Sequence, residues 1–215
     1  MILEHITVGA LACTCTILGD AASGEAIVVD GGDGADVERI AERLEALGLR
    51  AKYLVHTHAH IDHIGALGAL RDRCGGSGML HPGDVPLYRT LALQAQWIGL
   101  TQTPPVVAID ADLADGDGLC IGGTTLRCLH TPGHTPGSTS FAIERDGSTP
   151  LILTGDTLFR GSVGRWDLGG TSLGDIVTSI REKLLPYADE TVVIPGHGPA
   201  TTIGIERRTN PYLVA

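Results

Sequence analysis

Between residues 57 and 63 the chain reads Thr-His-Ala-His-Ile-Asp-His, which sets His58, His60, Asp62 and His63 inside one six-residue window. Imidazoles and a carboxylate packed that densely are the donors a borderline metal such as zinc requires. Three further candidates stand in turns marked by Gly and Pro: His134 in Thr-Pro-Gly-His-Thr-Pro-Gly, Asp156 in Thr-Gly-Asp-Thr, and His197 in Pro-Gly-His-Gly-Pro. These seven donors exceed the roughly four that one tetrahedral zinc takes. The count points to two ions sharing a site, the arrangement used for metal-assisted hydrolysis.

The framework around these donors alternates short apolar runs with amphipathic ones, the pattern of an α/β fold. Ile2–Val8, Thr14–Leu18 and Glu25–Val29 read as strands. Asp36–Leu47 reads as a helix, because Val37, Ile40, Ala41, Leu44 and Leu47 recur at helical spacing and Gly48 supplies the stop. Lys52–Thr57 reads as a strand running into the histidine cluster, Ile64–Arg73 as the next helix, and Met79–Leu80 as a short strand. Val85–Leu100 is helical in part, with no role legible in it. A second series follows, with strands expected at 106–109, 118–121, 124–130, 138–144 and 151–154, a helix at 173–184 and a last strand at 191–194. Each half runs strands then helix, which suggests two sheets packed face to face with helices outside. No linker or repeat interrupts the chain, so residues 1–215 are expected to form a single domain.

The donor positions share one logic. Each follows an apolar strand, so a rigid sheet would carry it to one edge, where function collects. His58 and His60 lie two apart, which in an extended segment puts both rings on one side. Asp62 and His63, adjacent at a helix start, can point in diverging directions and serve a second ion. Glycines at 133, 155, 196 and 198 let the backbone crowd close to the ions.

Bulk properties narrow the partners. A net charge of −10 argues against a nucleic-acid groove or an anionic membrane surface, and no stretch approaches the ~20 apolar residues of a membrane span. Cys13, Cys15, Cys74, Cys120 and Cys128 form an odd set, read as thiols in a reducing cytoplasm. Cys13 and Cys15, two apart in a strand, read as small core hydrophobes.

The stretches His58-Ala-His60-Ile-Asp62-His63, Thr131-Pro-Gly-His134-Thr-Pro-Gly-Ser138, Gly155-Asp156 and Pro195-Gly-His197-Gly together resemble the metallo-β-lactamase-fold hydrolases. Within that family the chain is most similar to the short bacterial glyoxalase II-like (hydroxyacylglutathione hydrolase-like) proteins. Leu158-Phe-Arg-Gly-Ser-Val-Gly-Arg165 and the tail through Thr209-Asn-Pro-Tyr212 extend the match to nearly the whole chain. The resemblance implies a four-layer αβ/βα sandwich with two mixed sheets flanked by helices. It implies His58, His60 and His134 on one ion, Asp62, His63 and His197 on the other, and Asp156 bridging them. The ions would be divalent, zinc with iron or manganese also accepted by this donor set. A bridging water, its pKa lowered from about 15.7 toward ~7, would attack a small thioester such as a hydroxyacyl-glutathione, with Asp62 orienting it as a catalytic group. Arg165 matches a basic position that meets the glutathione part of the substrate. Asp167 departs from the family's aromatic residue, and the C-terminal helical domain of the long enzymes has no counterpart here.

Other classes stay open on sequence. A persulfide dioxygenase carries a similar motif with one iron, although it usually departs from Pro195-Gly-His-Gly. Lactonase or β-lactamase chemistry suits the same donors, and a metal-stabilised binding module is the non-enzymatic rival. His56, His130 and His81 read as structural histidines. The oligomeric state is not encoded in any feature of the sequence.

Overall fold

In the computed structural model, which describes residues 1–144, 150–167 and 171–214, the chain forms two compact units. One holds residues 1–113 with 121–123, the other 114–120 with 124–215.

In the first unit, β1 (Ile2–Val8), β2 (Cys13–Asp20) and β3 (Glu25–Val29) form an antiparallel meander. The chain then passes through α1 (Val37–Ala46) into β4 (Arg50–Val55), which lies parallel to β3. Two short-helix segments, α2 (Ile61–Ile64) and α3 (Leu67–Cys74), lead to β5 (Ser77–Leu80), parallel to β4. After α4 (Val85–Tyr88) and α5 (Leu91–Ile98), the two-residue β6 (Ala111–Asp112) closes a six-stranded mixed sheet of order β1-β2-β3-β4-β5-β6. Helix α1 buries Val37, Ile40, Ala41 and Leu44, the stripe its periodicity predicts. Of these, Val37, Ile40 and Leu44 join Ile17, Val28, Leu54, Leu67 and Leu70 in one core, each contributing about 1.5–3 kcal/mol by leaving water. Residues 26–29 of β3 are buried without alternation, as expected of a strand covered on both faces.

Apart from Ile121 at the end of β7, the second unit carries β7 (Gly118–Ile121), β8 (Thr124–His130), β9 (Thr139–Glu144), β10 (Leu151–Gly155), a β11–β12 hairpin (Leu158–Phe159 and Ser162–Val163), α6 (Leu173–Ser179), β13 (Val192–Pro195), β14 (Thr201–Thr202) and α7 (Ile203–Thr209). Its sheet runs β14-β13-β10-β9-β8-β7. β10 and β13 are parallel, whereas β8/β9, β9/β10 and β13/β14 are antiparallel. Ile176, Ile180 and Leu184 pack with Ile152, Val193 and Ile203 into a second core. Among the described residues no helix is long and apolar enough to cross a membrane.

The short strands β6, β11, β12 and β14 carry no periodicity of their own, and three further elements differ from expectation for visible reasons. The apolar run Val106–Ile109 is not a strand. Pro104 and Pro105 precede it without N–H donors, the Val107 N–H donates to the Tyr88 hydroxyl, and the Ala108 carbonyl accepts from Arg71. Sheet pairing starts only at Ala111. The helix at 173–184 keeps α geometry to Ser179 and then widens, with Leu185 N–H bonded to the Ile180 carbonyl. Helix α7 was not expected; the Thr202 hydroxyl caps it by accepting from the Ile205 N–H.

Candidate metal centre

In the first unit β3, β4 and β5 run parallel, so their C-terminal ends share an edge, the usual location of a ligand site in such sheets. β4 ends at Val55 and its continuation carries His58 and His60, while Asp62 and His63 open α2. Asp30 follows β3 directly, in the left-handed region at φ 55°, and its backbone N–H bonds to the Val55 carbonyl. That turn aims a buried carboxylate at the cluster. Oδ1 accepts from the Thr57 N–H at 2.8 Å, and Oδ2 accepts from the Thr57 hydroxyl at 2.7 Å and from His63 Nδ1 at 2.9 Å.

This pattern sets the tautomers. With a carboxylate at Nδ1, His63 keeps its proton there and presents the Nε2 lone pair. The Thr57 hydroxyl spends its proton on Asp30, so it accepts from His58 Nδ1 at 3.0 Å. His58 Nε2 is thereby also a lone-pair donor, 3.0 Å from His60 Nδ1, with the two rings edge to face at 86°. Asp62 and His63 do not diverge as their adjacency suggested: Asp62 Oδ2 lies 3.6 Å from His63 Nε2, and the His58 and His63 ring centroids are 4.0 Å apart. His58, Asp62 and His63 are buried and His60 half-buried.

In the second unit the strand directions bring three turns to one edge. β8 is antiparallel to β9 and β9 to β10, so β8, β10 and β13 point the same way. His134 follows β8, Asp156 follows β10, and His197 follows β13. His134 Nε2 lies 3.7 Å from Asp156 Oδ2, and His197 Nε2 lies 3.8 Å from Asp156 Oδ1. The Arg165 carbonyl accepts from His134 Nδ1 at 2.8 Å, which again leaves Nε2 as the donor. Two glycines make this packing possible. A Cβ on Gly164 would fall 1.8 Å from the Asp156 carbonyl oxygen, and one on Gly133, at φ 143°, would fall 2.4 Å from Ile176.

The donor separations fit metal ligation. Ligands about 2.0–2.1 Å from one tetrahedral ion stand about 3.3 Å apart along each edge. The pairs at 3.0, 3.6, 3.7 and 3.8 Å bracket that spacing. Cys13 stands beside the set: its Sγ lies 3.5 Å from His63 Nδ1, the nitrogen that Asp30 holds. Burial pushes its thiol up to about 11, against the pull of His63. With Cys15 it is part of the core.

Other candidates take structural roles. His56 is buried, donates from Nδ1 to the His63 carbonyl at 3.3 Å, and is held down to about 4, chiefly by burial. His130 bonds the Pro136 carbonyl, and His81 accepts from the Gly83 N–H at the start of a tight turn. The Arg165 side chain is exposed and forks onto Asp167 at 3.0 and 3.1 Å. Sequence reasoning missed Asp30 and the Arg165 carbonyl. Asp30 carries a weak signal, an acid that ends an apolar strand before Gly31-Gly32; a carbonyl carries none.

The chain belongs to the metallo-β-lactamase superfamily: the family's sequence profile matches residues 8–197. The hydroxyacylglutathione hydrolase GloC of Haemophilus influenzae is 39% identical over 223 residues, covering 99% of this chain and 98% of that one. Among solved structures, BLEG-1 B3 metallo-β-lactamase superposes with a TM-score of 0.86 at 35% identity, covering 100% of both chains. TTHA1623 in a di-iron-bound form gives 0.83 at 35% identity, covering 98% of this chain and 100% of that one. The fold is accordingly the metallo-β-lactamase fold, two mixed sheets flanked by helices.

Proposed function

We propose that this chain is a binuclear metallohydrolase that cleaves the thioester of a hydroxyacyl-glutathione or a similar small acyl-thiol. The observation that carries this reading is that the matched region, 8–197, contains all seven donors and closes on the last of them. Support for the substrate class comes from the likeness to GloC along nearly the whole length of both chains. His58, His60 and His134 are assigned to one ion, Asp62, His63 and His197 to the other, and Asp156 to both. When bound, such a pair supplies water ionised near neutral pH and an electrophile for a carbonyl oxygen. Zinc is the expected metal; iron is consistent with the di-iron form of TTHA1623, and manganese with the N/O donor set.

The chain's own groups then have definite tasks. Asp30 and Thr57 hold protons at Nδ1 of His63 and His58, and the Arg165 carbonyl does the same for His134. Each keeps an Nε2 lone pair aimed at the site. Asp62 accepts a proton or hydrogen bond from the attacking water. A thiolate leaves with its conjugate-acid pKa near ~8.5, so the reaction needs no strong general acid. Arg165 is the proposed contact for the acidic part of the thiol, reached by exchanging its Asp167 partner for substrate. The working partner is thus a small molecule in a reducing cytoplasm, rather than nucleic acid or membrane.

The test is steady-state hydrolysis of S-lactoylglutathione alongside metal analysis. About two ions per chain and turnover abolished by Asp62→Ala are expected. Turnover no faster than with free metal rejects this substrate, and a chain that retains no metal rejects the class. The likeness to BLEG-1 favours one rival, a β-lactamase; hydrolysis of a chromogenic cephalosporin in preference to the thioester would establish it.

A further inference from the structure

The segment between β4 and α2 has no ladder or helix to hold it, yet its backbone must present His58 and His60 in register. Its polar groups are taken up at alternate residues by buried side chains from three other elements. Thr57 N–H goes to Asp30. Ala59 N–H donates to Asp84 Oδ2 at 2.9 Å. The Ala59 carbonyl accepts from Gln94 Nε2 at 3.2 Å, and Ile61 N–H donates to Gln94 Oε1 at 2.9 Å. Asp84 and Gln94 are 0% and 4% exposed, values that rule out support from solvent.

We infer that Gln94, seconded by Asp84, is a positioning residue for the metal ligand His60, acting through the backbone of the ligand loop. The argument is geometric. The Ala59 carbonyl belongs to the peptide plane preceding His60, and the Ile61 N–H to the plane following it. One side-chain amide therefore grips both planes, which fixes φ and ψ of His60 at −71° and 146°. His60 is the N-cap residue of α2 but its side chain makes no cap bond. The orphan N–H of Ile61 is satisfied from α5 instead, and the imidazole is left for ligation. Asp84 grips the plane between His58 and Ala59.

Gln94 is itself fixed. Its Nε2 also faces the Leu87 carbonyl and the Thr90 hydroxyl, each at 3.2 Å, and Thr90 in turn donates to the Leu87 carbonyl. Three acceptors around one nitrogen and an N–H facing the oxygen settle which end of the amide is which. A leucine would suit the same position, between Leu91 and Ala95 in the core, if packing were the whole requirement. The α4–α5 stretch, whose sequence gave no hint of purpose, thus serves as an outrigger for the ligand loop.

This inference rests on the metal-site proposal, and the experiment separates the two. Full-length chain is loaded with cobalt(II), and both the visible ligand-field spectrum and the affinity by chelator competition are measured for wild type, Gln94→Leu and Trp97→Ala. Gln94→Leu is expected to weaken the tighter-perturbed ion by about 10- to 100-fold, the usual cost of losing a partner behind a ligand, with shifted or weakened ligand-field bands. Trp97→Ala, on the 71% exposed outer side of the same helix, is expected to match wild type. Should Gln94→Leu fail to fold, Gln94→Glu keeps the size and the acceptor for Ile61 while removing the donor to Ala59; it must show the same spectral change. Wild-type protein that binds no cobalt overturns the metal-site proposal. Wild type that binds cobalt, with a Gln94 variant of unaltered spectrum and affinity within about 2-fold, overturns this inference even if its melting temperature falls, since about 10-fold is the least such a partner costs. Trp97→Ala behaving like Gln94→Leu overturns it as well, by assigning the effect to the helix as a whole.

Discussion

Replacing Asp30 with asparagine tests the tautomer argument at its source. The substitution is isosteric, so the core is undisturbed, but the amide has one oxygen where the carboxylate has two. Asparagine can keep its oxygen on the Thr57 N–H and must then turn its NH2 toward the Thr57 hydroxyl and His63 Nδ1, both now accepted by Oδ2. Hydrogen bonds to a charged group contribute about 1.5–3 kcal/mol each, so the two lost at Oδ2 put about 3–6 kcal/mol at stake. Most of this is recovered if His63 moves its proton to Nε2 and accepts from the new amide, and if Thr57 turns its proton toward His58. The recovery removes both lone pairs intended for metal. With about 10- to 100-fold in affinity for each ligand so disturbed, zinc binding should weaken by about 100- to 10,000-fold while the protein stays folded. Nitrogen-15 NMR of labelled histidines in the metal-free protein reads the tautomers directly, and chelator competition reads the affinity. A variant whose His63 still carries its proton on Nδ1 and whose zinc affinity is within about 3-fold of wild type would refute the reasoning.

Three further outcomes are expected. Gly164→Ala forces a methyl into the Asp156 carbonyl; a loss of about 1–3 kcal/mol or more should appear in chemical denaturation, together with weaker metal retention. Tyr88→Phe leaves the Val107 N–H without its acceptor and should cost about 1–3 kcal/mol, with hydrogen exchange accelerated at Val107 if the fold is otherwise intact. Under a thiol reagent at pH 8, exposed Cys120 should react first and half-buried Cys74 more slowly. Buried Cys13 and Cys128, pushed by desolvation to about 11 and about 12, should react only on unfolding, and Cys120→Ser should abolish the fast phase.

Local periodicity carried most of the architecture. The α1 stripe and the β1 and β3 runs fall where Val37–Leu44, Ile2–Val8 and Glu25–Val29 place them, because each element's burial is written in its own residues. Val106–Ile109 was misread for a complementary reason. Four apolar residues in a row state that a segment is covered, not how its backbone is bonded, and here Tyr88 and Arg71 satisfy it instead of a neighbouring strand. The clustered imidazoles and carboxylates stand out because such residues at such spacing have few other uses, and the structure groups them within each unit. Their supports do not. Asp30 and Gln94 act on residues 27 to 35 positions away, and a carboxylate or amide looks the same in sequence whether it is buried behind another side chain or faces water.

Arg165 offers its two ends to different tasks: the main-chain oxygen steadies His134, and the guanidinium lies outside, forked on Asp167. Every amino acid has that oxygen, so the imidazole is indifferent to what side chain stands there. Position 165 can therefore change its side chain, and with it the charge on that outer face, while the main-chain bond to His134 Nδ1 stays in place.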